Sequence, residues 1–116
     1  MDAMKTLLIS SVPLPGGVRD IVSRGSTSLE EARPGDAGAE DGARGADRVV
    51  VWAPRGDGQA RDLAARLARG ASPEQRAGLI VVTDDPDVPV EGLRPGEIFC
   101  WPGDEDRLTM AFMTSA

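Results

Sequence analysis

A chain of 116 residues has the length of one domain and can bury an independent core. Its net charge of −6 gives no hold on phosphate backbones or on anionic membrane surfaces, so no nucleic-acid partner and no membrane partner is expected. Histidine is absent and Cys100 is the single cysteine, which removes the commonest general base, an internal disulfide and a zinc site.

Aromatic residues are scarce, with two Trp, two Phe and no Tyr, so the core must be built from Ala, Val and Leu. Lys5 to Val12 reads as a first strand, because Leu7, Leu8 and Ile9 are continuous, as in strands covered on both faces. Pro13, Pro15, Gly16 and Gly17 form a loop that no helix should cross. Val18, Ile21 and Val22 then give one stripe of a short helix ending at Gly25.

Between Ser26 and Ala46 only Leu29 is large and apolar. A brief helical turn at Ser28 to Ala32 and a flexible Gly/Ala/charged loop at about 33–46 are expected there. Asp47 to Ala53 is the central strand, followed by a turn at Pro54 to Gly58. The clearest helix runs from Gln59 to Arg69, with Ala60, Leu63, Ala64 and Leu67 on one face and Asp57 as its cap. Leu79 to Thr83 is another continuous strand. Residues 88–96 carry Pro89 and Pro95, against a full helix. Ile98 to Trp101 is a short last strand, and Asp104 caps a final helix with Leu108, Ala111 and Phe112 on its apolar stripe.

Strands joined by helices imply an α/β fold. It is a three-layer open parallel sheet of four to five strands, with helices on both faces, in a single domain. Function in such sheets gathers at the C-terminal ends of the strands. Here those ends carry Ser10, Ser11, Trp52, Thr83, Asp84, Asp85 and Trp101.

From Asp47 onward the chain resembles the receiver domains of bacterial two-component response regulators, which have a flavodoxin-like fold. Asp47-Arg-Val-Val-Val-Trp52-Ala-Pro-Arg-Gly-Asp-Gly58 resembles their third strand and its loop. Leu79-Ile-Val-Val-Thr83 resembles the fourth strand with its hydroxyl residue, and Ile98-Phe-Cys-Trp101-Pro resembles the fifth. The first strand, ending at Ser10 and Ser11, resembles the one that closes on paired acids.

The departures fall on the chemistry. Trp52 stands at the phosphoacceptor aspartate, Ser10 and Ser11 at the acidic pair, and Trp101 at the lysine; Thr83 alone keeps the family's residue type. An aspartyl phosphate needs a carboxylate nucleophile, and a Mg²⁺ site needs charged oxygen ligands. The resemblance thus implies a pseudo-receiver: a cytoplasmic, non-enzymatic signalling module acting by protein contact, without a cofactor. Receivers associate through the last strand and helix, which implies a protein partner or homodimer at Phe99, Met110 and Met113.

Other readings stay open. Ser10, Ser11, Trp52, Thr83 and Trp101 could line a pocket for a small-molecule ligand, or the two indoles could simply plug the top of the sheet. Asp57, Asp84 and Asp85 offer oxygen ligands for a cation, or a solvated turn, and no metal is expected there. An acid–base enzyme using Asp84 or Asp85 is a further alternative. Ser10 as a nucleophile lacks an activating base, because Lys5 lies at the far end of the same strand. Cys100, within an apolar strand, is expected to be buried and inert.

Overall fold

Three strands without a polar face can be stable only as the middle layer of a sandwich. The structure, a computed structural model, describes residues 5–25, 28–36, 38–70, 72, 78–84, 98–101 and 103–113. Its elements in chain order are β1 (Lys5–Ile9), α1 (Gly16–Arg24), β2 (Ser28–Ala32), α2 (Ala39–Gly45), β3 (Arg48–Trp52), α3 (Gly58–Gly70), β4 (Leu79–Thr83), β5 (Ile98–Cys100) and α4 (Glu105–Met113). The five strands form one parallel sheet in the order β2-β1-β3-β4-β5, which is the flavodoxin-like order.

Register decides which side chain faces which layer. Leu7 pairs with Val49 and Val49 with Leu79, while Leu8 pairs with Val50 and Val50 with Ile80. The first set lies under α2 and α3, joined by Ile9, Val51, Val81, Ala60, Leu63 and Ala64. The second set lies under α1 and α4, with Val18, Val22, Trp52, Leu108 and Phe112. Alternation along each strand therefore feeds two separate apolar layers, one on each face of the sheet.

Several boundaries differ from the sequence expectation. The first strand ends at Ile9, not Val12. The helix that follows starts at Gly16, because Pro15 stands at its cap position with extended backbone, and this places the Pro–Gly run at the helix entrance. Ser28–Ala32, expected as a helical turn, is the edge strand β2. Its two glutamates are accommodated because an edge strand is half solvated, and only Leu29 packs against the α1–α4 layer. Residues 39–45, expected within a loop, form α2. This helix buries Ala39 and Ala43, four residues apart, and a Cβ on Gly42 would lie 3.3 Å from Leu7, so small residues let the helix sit close to the sheet. The Pro/Gly segment 88–96 lies outside the described residues.

Glycines also hold the α1–α4 layer together. A Cβ on Gly17 would lie 2.5 Å from the Trp101 indole, and one on Gly25 would lie 2.6 Å from the Phe112 ring. Each aromatic side chain rests directly on α1 or the residue that ends it. No described helix is long and apolar enough to cross a membrane.

Candidate functional site

The C-terminal edge of the sheet is built from the ends of β1, β3, β4 and β5. β1 leads into Ser10, whose N–H donates to the Ala32 carbonyl at 3.0 Å. Beyond it, the exposed Ser11 hydroxyl donates to the Asp57 carboxylate. The other carboxylate oxygen of Asp57 accepts the Ala60 N–H at 3.1 Å, the capping bond that starts α3. Pro54 to Asp57 is a tight turn closed by an N–H to carbonyl bond of 3.0 Å, with Gly56 at φ +87°. That positive φ suits the third position of a type II turn, where glycine carries no steric cost. The turn thus sets Asp57 at the helix start and brings it to Ser11.

β3 and β4 end in side chains turned into the protein. Trp52 is 5 % exposed and belongs to the apolar layer under α1 and α4. Thr83 is 2 % exposed, and its carbonyl accepts the Trp101 N–H at 2.8 Å. Trp101 is half-buried against the same layer, beside Gly17. Asp84, at the surface, accepts the Arg55 N–H at 2.7 Å and so ties the β4 end to the β3 turn. Asp85 lies outside the described residues.

The five residues singled out from the sequence therefore share one edge but divide into two groups. Trp52 and Trp101 join the hydrophobic layer, with Thr83 buried between strands. Ser10 and Ser11 instead line an open groove of about 530 Å³, together with Val12, Pro13, Glu31, Ala32, Arg33 and Asp36. This groove lies at the β1–β2 ends, and Glu31, Arg33 and Asp36 bring to it charges that sequence reasoning did not assign. The missed signal was β2 itself: once Ser28–Ala32 is a strand, the residues after it must lie beside the end of β1.

The described carboxylates at the β3 and β4 ends have structural partners. Asp57 caps α3 and binds Ser11, and Asp84 holds the Arg55 amide. Among the described residues no three His, Cys, Asp or Glu side chains are grouped to hold a metal ion.

At the opposite end of the sheet, Arg48 is 3 % exposed, with its guanidinium 4.2 Å from the Phe112 ring centroid. Its Nη1 is buried, and no described residue accepts a hydrogen bond from it. Burial lowers its pKa from the usual arginine value. Strand patterning alone hid this residue, because it occupies the first position of an otherwise apolar strand.

On the last strand and helix, Phe99 is half-buried under the Arg107 guanidinium, 4.9 Å from the ring centroid. Met110 is 62 % exposed. Met113 lies in the last turn of α4. Cys100 is half-buried, more accessible than its apolar neighbours suggested. Asp104 accepts the Cys100 N–H at 2.8 Å and pairs with Arg107 at 3.1 Å. The Cys100 backbone donor does most to hold the Asp104 carboxyl below its ordinary pKa; burial opposes it, and the Arg107 charge and hydrogen bond add to the lowering.

No family model, no curated protein and no solved structure matches this chain.

Proposed function

We propose that this chain is a signalling or regulatory module of the pseudo-receiver kind, acting through protein contact without aspartyl phosphorylation. The observation that carries the reading is Trp52. At the end of the central strand, where a receiver of the same strand order needs a carboxylate open to solvent, this chain has an indole 5 % exposed within a hydrophobic layer. A buried indole supplies no nucleophile for a phosphoryl group. The neighbouring acids do not compensate: Asp57 is committed to the α3 cap and Asp84 to the Arg55 amide. With no phosphoryl chemistry, the role we assign to the chain is recognition.

The test is incubation with acetyl phosphate and Mg²⁺, followed by intact-mass measurement and Trp fluorescence. The reading requires an unchanged mass and unchanged emission. A Mg²⁺-dependent phosphoprotein would end it.

A second reading is favoured by one observation. The groove of about 530 Å³ at Ser10 and Ser11 has the size of a small-molecule site, so a ligand-sensing module is the alternative. Its pocket would be the groove at β1 and β2 and not the Trp52–Thr83–Trp101 cluster. Chemical-shift changes at Ser10, Ser11 and Asp36 on screening a metabolite panel would select it.

A further inference from the structure

The two edges of the sheet are finished differently. Neighbouring residues in a strand point their backbone groups to opposite sides, so every second residue of an edge strand faces outward. Just after β5, Trp101 donates inward to Thr83 at 2.8 Å, so Ile98 and Cys100 face outward, with Cys100 at the C-terminal end of the edge. Both backbone groups of Cys100 are taken: the Asp104 carboxylate accepts its N–H at 2.8 Å, and the Asp104 N–H donates to its carbonyl at 2.6 Å. Asp104 therefore occupies this edge as one residue of an added strand would.

Among the described residues, β2 has no such closure. The Ala32 carbonyl accepts inward from Ser10, so Ala32, Glu30 and Ser28 face β1, and Leu29 and Glu31 face out. No described residue takes up the outward backbone groups of Leu29 or Glu31. An edge strand whose outward backbone groups meet no described residue is a template for another strand.

We propose that the β2 edge binds an extended basic peptide segment of a partner protein by strand addition. This deepens, and rests on, the reading of the chain as a protein-contact module. The occupant follows from charge. β2 carries Glu30 and Glu31 on its two faces and no cation. A second copy paired through β2 would set glutamates against glutamates, which opposes pairing, whereas lysine or arginine on an added strand meets an opposite charge on each face. The present partners of these acids, Lys5 and Arg19, are exposed surface pairs that exchange readily with solvent or with another cation. Where β2 ends, the groove begins, and its wall carries the carboxylates of Glu31 and Asp36 against the cation of Arg33, with Ser10 and Ser11 as further acceptors for an incoming ammonium.

The probe is a blocked peptide of alternating lysine and valine, titrated into the full chain and followed by backbone amide NMR. Shifts concentrated at Leu29, Glu31, Ser10 and Asp36 are expected. N-methylation of every second peptide amide keeps the charge but removes the strand donors, and should abolish binding. Glu31→Gln should weaken binding by roughly two- to fivefold, the range of one cross-strand charge pair. Glu31→Pro removes an outward N–H that serves no ladder bond in the sheet, so it should abolish binding while leaving the sheet folded, as checked by its own amide spectrum. Should Glu31→Pro fail to fold, the N-methylated peptide still decides.

Binding that survives N-methylation, shifts located away from β2, concentration-dependent shifts at β2 without peptide (a second copy as occupant), or no binding at all would each overturn the assignment. These failures are separable from failure of the wider reading. A chain that ignores the peptide yet takes up no phosphoryl group loses only the edge assignment, and phosphoryl uptake sinks the wider reading whatever the peptide does.

Discussion

Replacing Arg48 by Met should make the protein more stable. Arg48 is 3 % exposed, and its Nη1 is buried with no acceptor among the described residues. An unsatisfied buried donor costs about 1–3 kcal/mol, and a buried charge adds a desolvation penalty of several kcal/mol. The compensation in view is the Phe112 ring at 4.2 Å, a contact worth about 0.5–2 kcal/mol. Methionine keeps much of the stem volume and its contact with the ring while removing the charge. The net expectation is a gain of about 1–2 kcal/mol, in line with other replacements of buried ions by apolar residues. In urea, followed by the buried Trp52, the midpoint should rise by about 0.5–1.5 M with an unchanged slope. Arg48→Ala, which also leaves a void beneath Phe112, should fall below Arg48→Met. If Arg48→Met is instead destabilised by more than about 1 kcal/mol, the guanidinium has an anionic partner and the reasoning fails.

Other outcomes follow from single contacts. Gly25→Ala should lose about 1–3 kcal/mol, because its Cβ would lie 2.6 Å from Phe112, while Gly16→Ala, with nothing within 4 Å, should be neutral or better in the same denaturation assay. Asp57→Ala should cost about 1 kcal/mol by removing the cap of α3, and amide exchange should quicken first at Ala60. For Asp104 the folded pKa lies below the unfolded value of about 3.9. Its contribution is therefore present above that value and is lost as pH falls through the depressed folded pKa. Asp104→Ala should be less stable than the native chain by about 1 kcal/mol at neutral pH, after solvent screening, and the two stability curves should converge in acid.

Continuous apolar runs made the centre of the fold legible. Leu79–Thr83 is a strand with the bounds read from its sequence, and Val49 to Val51 form the middle of β3 as three adjacent valines require. α3 and its Asp57 cap were equally plain, since Leu63 and Ala64 lie on one stripe behind an acid and two glycines. What stayed hidden is carried by small or charged residues. α2 packs through Ala39 and Ala43, which sequence patterning cannot tell from loop composition. β2 buries one leucine and exposes two glutamates, because an edge strand needs only a partial apolar face. The candidate site follows the same division. Trp52 and Trp101 stood out by rarity, but the direction of their side chains depends on register, which pairing alone determines. Asp104 was read as the cap of the last helix; its carboxylate accepts the Cys100 N–H, a partner that becomes visible only when β5 is an edge.

The most direct test of the account addresses the C-terminal edge itself. Amide spectra should be recorded with Mg²⁺, and again with Mg²⁺ and beryllium fluoride, a mimic of the aspartyl phosphoryl group. With Trp52 filling the end of β3, the amides of Ser10, Trp52, Thr83 and Trp101 should not move under either condition. Saturable shifts at these four residues, dependent on both Mg²⁺ and the fluoride complex, would show a working phosphoryl site and contradict the account.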